Sequence, residues 1–196
     1  ALYGRSQISV PLFVGKVYCK DTAGFVNCSM IKPPKGPGMW IVFVRHVLSL
    51  GLQKEHTVDI TYGALTKTFM GSVGSASSDL FKLLAPDLVG IWVDVPQMQE
   101  MKLVGGTVDV SSDSPCDVHI SAYKKYTDKD KVLSAGRYYR TQHNCATIPG
   151  NCSAPIIRTS DNKVVAFHQG AVPSEKVNVA IPVTPEIIAR LTIQSN

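Results

Sequence analysis

The sequence predicts an all-β chain, two small antiparallel barrels followed by a short C-terminal helix. Three observations lead there. Short apolar or alternating runs recur between Gly-, Pro-, Asn- and Asp-bearing turns along most of the chain. Helical periodicity is nearly absent until Pro185-Glu186-Ile187-Ile188-Ala189-Arg190-Leu191, where Thr184 supplies an N-cap and Pro185 the first helical position. A stretch from Gln97 to Val104, ending at Gly105-Gly106, reads as a connection between two halves, which divides the chain into residues 1–96, a connector at 97–106, and 107–196. With 196 residues and 44% hydrophobic content, the chain can bury one large core or two small ones packed together.

In order, Gln7 to Phe13 alternates loosely and reads as a strand, alone or after a short N-terminal helix. Val14 to Cys19 and Phe25 to Met30 flank the turn Asp21-Thr22-Ala23-Gly24 and form a hairpin. Cys19 and Cys28 lie on either side of that turn and are expected as small apolar residues that could face each other across it. Pro33-Pro34-Lys35-Gly36-Pro37-Gly38 is a loop. Met39-Trp40-Ile41-Val42-Phe43-Val44 is a continuous apolar run of strand length, expected to be buried on both faces.

Thr57 to Tyr62 and Thr66 to Val73 are short alternating runs, and Ser72 to Ser78 is a small-residue loop. Pro86-Asp87-Leu88-Val89-Gly90-Ile91-Trp92-Val93-Asp94-Val95-Pro96 reads as a strand with an acid at its entrance. Past the connector, Thr107 to Val110, Val118 to Tyr123, Lys131 to Leu133 and Arg137 to Gln142 read as further strands.

Composition narrows the function. No apolar run is long enough to cross a bilayer, and no signal-peptide pattern opens the chain, so membrane insertion is not expected. Ala1, with no methionine before it, reads as the end of a chain cut from a longer precursor or as an artificial boundary. Five cysteines at 19, 28, 116, 145 and 152 make an odd set, which fits a reducing compartment and at least one functional thiol better than a disulfide scaffold. A formal charge of +5 is mild and does not argue for nucleic acid.

The chemistry centres on Thr147-Ile148-Pro149-Gly150-Asn151-Cys152-Ser153-Ala154-Pro155. Gly150 can take a positive φ and let a carbonyl approach the main chain, and Cys152 presents a thiol two residues later. Pro155 stiffens the exit into the following strand. The pattern resembles the Gly-x-(Ser or Cys)-Gly-x-Pro nucleophile loop of chymotrypsin-fold proteases in its viral cysteine form, with Ser153 standing where the family usually has glycine. His46, at the end of the apolar run and followed by Val47-Leu48, resembles the family's general-base motif. Asp87, opening its strand, resembles the acid, with Asp79 a weaker rival and Asp94 lying inside the strand.

The order His46, Asp87, Cys152 is that of base, acid and nucleophile in picornavirus-type 3C-like cysteine proteases. That resemblance implies a chymotrypsin-like double barrel with the site in the groove between barrels. His46 would take the proton of Cys152, Asp87 would orient His46, and backbone N–H groups of Gly150 and Cys152 would form the oxyanion hole. Thr147, and His168 in Val164-Val165-Ala166-Phe167-His168-Gln169-Gly170, resemble S1 residues that read Gln or Glu at P1. The resemblance further implies a viral polyprotein substrate, release into the host cell cytoplasm and no cofactor.

Three alternatives stay open. One is a serine protease using Ser153, although that residue falls one position late. Another is a zinc module drawing on His143, Cys145 and Cys152, or on Cys116 and His119, although the spacings are unfamiliar. The third is a non-catalytic β-domain that binds RNA. Many relatives bind RNA through a basic-aromatic connector motif that Gln97-Met98-Gln99-Glu100-Met101-Lys102 lacks, and the basic stretch Lys124, Lys125, Lys129, Lys131 is interrupted by acids. Oligomeric state is not readable from the sequence.

Overall fold

A computed structural model describes residues 12–48, 55–145, 153–172 and 177–192. The segment Gln7 to Phe13 therefore lies mostly outside the described residues. The first half contains β1 (Val14–Cys19), β2 (Gly24–Ile31), β3 (Met39–Val44), β4 (His56–Tyr62), β5 (Leu65–Gly71), β6 (Val73–Gly74), β7 (Phe81–Ala85) and β8 (Leu88–Val93). They form a barrel-like sheet in the order β5-β4-β1-β2-β3-β8-β7-β6. The second half contains β9 (Cys116–Ala122), β10 (Val132–Tyr139), β11 (Gln142–His143), β12 (Pro155–Arg158), β13 (Lys163–Val172) and β14 (Val177–Pro182). These close into a barrel in the order β10-β11-β14-β13-β12-β9.

Two short helices flank the second barrel in sequence. The first, α1 (Val95–Glu100), precedes it, and the second, α2 (Pro185–Thr192), follows it. The predicted cap of α2 is present, with the Ile187 N–H donating to Thr184 Oγ1 at 3.2 Å.

The run Met39–Val44 is buried along its whole length because its two faces serve two cores. Ile41 and Phe43 pack into the first barrel with Val17, Met30, Ile60 and Phe81. Trp40 and Val42 point the other way, onto Ile157, Phe167, Ile187 and Leu191 of the second half. Trp40 also donates its indole N–H to the Leu191 carbonyl at 2.8 Å, which pins α2 to the first barrel. Neighbouring β2 repeats this arrangement. Val26, Cys28 and Met30 face the first core. The alternating Asn27 and Ser29 are fully buried as well and bond across to the second barrel.

Four expectations are corrected. The strand after Asp87 stops at Val93, and a helix begins where strand and connector were expected. Asp94 accepts from the Gln97 N–H while the Gln97 side chain accepts from the Asp94 N–H, a capping box with proline in the first turn. Cys19 and Cys28 do not face each other, since the register pairs Cys19 with Gly24 and Cys28 with Gly15. Residues 131–133 and 137–142 are not separate strands around a turn. Gly136 sits inside the continuous strand β10, where a Cβ would come within 2.8 Å of the Cys145 backbone nitrogen, so this glycine answers a close approach. Finally, Thr107 to Val110 contributes only an isolated bridge between Val108 and Val164.

The Asn27 amide substitutes for a backbone bridge, giving a hydrogen bond to the Tyr123 carbonyl at 3.0 Å and accepting one from the Tyr123 N–H at 2.8 Å. Asn27→Ala would strand both Tyr123 groups in the seam, at about 1–3 kcal/mol for each buried group left unpaired. Urea unfolding should show a loss of about 2–6 kcal/mol on that basis. A loss below about 1 kcal/mol would mean that water replaces the amide.

Candidate active site

His46 lies in a 3-10 turn, Arg45–Val47, that caps the buried end of β3. The turn is braced from the β1–β2 hairpin, where Thr22 Oγ1 donates to the Val47 carbonyl at 2.8 Å. Asp87, just ahead of β8, lies beside this turn because β3 and β8 pair from Val44↔Leu88 onward. Its carbonyl accepts from the Arg45 N–H at 3.0 Å, and its Oδ1 accepts from the His46 N–H at 2.9 Å. Asp87 Oδ2 stands 2.8 Å from His46 Nδ1. An ionised carboxylate can only accept, so Nδ1 carries a proton, and whenever the ring is neutral Nε2 presents the lone pair.

A third donor reaches the Asp87 carboxylate from the other barrel. Gln169 Nε2 donates to Asp87 Oδ2 at 3.1 Å. The register of β13 against β14 skips from His168↔Ala180 to Gly170↔Val179, so Gln169 is the extra residue of a bulge, a feature that re-aims a side chain. Burial pushes the Asp87 carboxyl upward. Hydrogen bonds from His46 and Gln169, with the neighbouring imidazole charge, outweigh it and hold the group below the usual carboxylate range. The rival Asp79 instead caps its own turn, accepting from the Ala76 N–H at 2.9 Å. Asp94 is the cap of α1.

His168 is buried in β13, with its Nδ1 3.0 Å from Nε2 of His143, the second residue of β11. Burial is the main cause that lowers both imidazoles, His143 to about 4 and His168 to about 3, with His143 adding to the shift of His168. Both rings are therefore neutral at physiological pH.

Thr147, Gly150 and Cys152 lie outside the described residues, which resume at Ser153. Ser153 has φ +68°, the left-handed conformation that glycine favours, at the position where the resembled motif has glycine. Its N–H donates to the His168 carbonyl at 2.7 Å, and the His168 N–H donates to the Ala154 carbonyl at 3.0 Å. Its hydroxyl accepts from the Val44 N–H at 2.6 Å, and its carbonyl accepts from Ser29 Oγ at 3.1 Å. Ser153 and Ala154 are thus bonded both to β3, which leads into the His46 turn, and to β13, which carries His168. The chain then enters β12 at Pro155, as expected.

Sequence reasoning missed Gln169 and the role of His143. Gln169 adjoins a residue already singled out, but only the bulge turns it toward Asp87. His143 was weighed as a zinc ligand with Cys145, yet its Nδ1 accepts from the Cys145 backbone N–H at 3.2 Å.

No family model matches the sequence, and no curated protein matches it. Solved structures do resemble the fold. The serine protease domain of the Sesbania mosaic virus polyprotein superimposes with a TM-score of 0.63 at 12% identity, over 88% of this chain and 89% of that one. A tobacco etch virus protease complexed with substrate gives 0.60 at 10% identity, over 95% and 84%. Rv3671c from M. tuberculosis gives 0.63 at 12% identity, over 92% and 85%. The chain has the chymotrypsin-like double-barrel fold. Within this fold His46 and Asp87 come from the first barrel, while Ser153, His168 and Gln169 come from the second.

The neutral histidine pair makes a prediction about stability. Each ring is held uncharged in the folded chain, whereas an unfolded histidine titrates near 6.5. Below that pH the unfolded chain binds more protons, so stability is full above pH 6.5 and falls toward pH 4. The slope should approach about 1.4 kcal/mol per pH unit for each histidine. Urea unfolding across this range checks it, and a flat profile between neutrality and pH 5 would mean that the rings accept protons without cost.

Proposed function

We propose that this chain is a viral 3C-like cysteine endopeptidase that processes a polyprotein, cutting after Gln or Glu. The observation that supports the reading is His46, held by Asp87 at Nδ1, in a chymotrypsin-like double barrel whose chain carries Cys152 in its second half. Cys152, one residue before Ser153, is the nucleophile in this reading. The His46 imidazole takes the thiol proton as sulfur attacks the scissile carbonyl, and the oxyanion is stabilised by the N–H groups of Gly150 and Cys152. The imidazolium then returns the proton to the leaving amine, and water hydrolyses the thioester. Asp87 and Gln169 keep the ring oriented throughout.

The choice of cysteine is supported by what the other candidates do. Ser153 is fully buried, with its hydroxyl accepting a short hydrogen bond from Val44, a poor state for a nucleophile. Burial raises the thiols of Cys28 and Cys116 and pushes Cys145 up to about 12, which makes thiolate scarce at those sites.

Alkylation of the native protein near neutral pH, with peptide mapping, tests the reading. Fast labelling confined to Cys152, slowed in His46→Ala, is the expected result. Indiscriminate labelling that ignores the variant would return Cys152 to a structural role. On a peptide substrate, Asp87→Asn should lower kcat by less than the roughly 10⁴-fold loss known for the equivalent change in a serine triad, because a thiol needs less help to ionise. An equal or larger loss would argue for a hydroxyl nucleophile.

A further inference from the structure

Ser153 stands in a backbone conformation that glycine favours, yet its side chain makes a bond that glycine could not. At φ +68° a Cβ crowds the neighbouring backbone, so serine is disfavoured there relative to the glycine of the resembled motif. The hydroxyl supplies what glycine lacks. Strand β3 pairs with β2 from Trp40 to Val42, and two residues further on the Val44 N–H finds its acceptor in Ser153 Oγ at 2.6 Å. Both residues are fully buried, and a buried backbone N–H needs a partner.

The place of this bond in the chain gives it a further consequence. Val44 is the N-cap of the 3-10 turn that carries His46, two residues before it. Ser153 directly follows Cys152, at about 3.8 Å between successive Cα atoms. One side-chain hydrogen bond therefore joins the segment that ends in the imidazole to the residue next to the thiol. The remaining bonds of Ser153 hold its main chain, with the N–H donating to the His168 carbonyl and the carbonyl accepting from Ser29 Oγ. Strands β2, β3 and β13 thus fix Ser153 from three sides, and the bond to β3 leads to the His46 turn.

We propose that Ser153 is a positioning residue whose hydroxyl, through the Val44 N–H, sets the spacing between Cys152 and His46. The inference rests on the reading of Cys152 as nucleophile and His46 as its base. A thiol becomes a reactive thiolate near neutral pH when an imidazole stands close enough to take its proton. Rate depends steeply on such geometry, and a misplacement of about 1 Å can cost about 10²-fold. Apolar packing tolerates a slide of that size, whereas a hydrogen bond is short-ranged and directional.

Two variants that remove the same hydroxyl test the proposal. Ser153→Gly also relieves the left-handed backbone, whereas Ser153→Ala keeps a Cβ there. Ser153→Gly should therefore unfold at a higher urea concentration than Ser153→Ala. Both should nonetheless lose about 10- to 100-fold in kcat on a peptide substrate, with little change in KM. The pH dependence of Cys152 alkylation adds a readout that stability alone does not move. Its midpoint should rise by about one pH unit in Ser153→Gly, a tenfold loss of thiolate. Asn27→Ala, which weakens the seam at Tyr123 rather than at Ser153, should keep the wild-type midpoint.

Wild-type kcat and midpoint in Ser153→Gly would overturn the proposal. So would an equal shift in Asn27→Ala, which would assign the effect to the seam as a whole. If Cys152 labels as fast in His46→Ala as in the wild type, the nucleophile reading fails and the positioning role fails with it. A wild-type result for Ser153→Gly alone leaves that reading standing, so the two failures are told apart.

Discussion

Everything at the candidate site depends on the seam between the two barrels. His46 and Asp87 belong to one and the Ser153 turn, His168 and Gln169 to the other, so their geometry is only as good as the contact between the sheets. That contact is apolar in its bulk, where Trp40, Val42 and Leu88 meet Ile157, Phe167 and Leu191. Apolar packing alone is tolerant of small slides, since the hydrophobic effect has no direction. Register is set by buried hydrogen bonds that cross the seam: Asn27 with Tyr123, Ser29 with the Ser153 carbonyl, and Ser153 Oγ with the Val44 N–H. Each would leave an unpaired polar group if the barrels shifted, and that penalty makes the fit specific. At the far edge Lys16 adds a strut, donating to the Tyr126 and Asp128 carbonyls at 2.8 and 2.7 Å while lying against the Tyr123 and Tyr126 rings.

Asp87 concentrates this principle in one side chain. Its carboxylate takes a backbone donor and a ring donor from His46 and an amide donor from Gln169 across the groove. The same group therefore orients the imidazole and senses the position of the second barrel. The strand carrying Gln169 also carries His168, one residue earlier, and the bulge between them sends the two side chains to different tasks. Asp87 and His168 are thereby linked through one irregularity in one strand. His168 is in turn bonded through its main chain to Ser153 and Ala154, so a shift of β13 would disturb the Ser153 turn and Asp87 together.

Much of this was legible in local sequence pattern, where the chemistry is local. The Met39–Val44 run announced a strand buried on both sides, and His46 at its end announced a held imidazole. Asp87 was singled out because it opens its strand as the acid of the resembled family does. The failures came where a local signal had two meanings. Asp94-Val95-Pro96 was read as the tail of a strand and Gln97 as the start of the connector, yet together these residues make a capping box. The gap between the strands expected at 131–133 and 137–142 does not exist, because Gly136 continues β10 and leaves room for the chain at Cys145. Ser153 looked like a defect in a glycine motif, but it holds the left-handed conformation itself and spends its hydroxyl on Val44.

The sequence by itself determined the all-β class, the strand that leads to His46, the entrance position of Asp87 and the Thr184-capped final helix. Those follow from periodicity, turn residues and propensity, which act over a few neighbouring positions. The tertiary structure decided which polar residues are partners. In β2, Asn27 and Ser29 alternate with apolar residues as a solvent-facing row would, and only the docking of the second barrel makes them buried bonds. Gln169 reaches Asp87, and His143 reaches His168, across gaps of 82 and 25 positions that no local rule spans. Hydrogen bonds are directional and short-ranged, so such pairings exist only once the whole chain has set the distances.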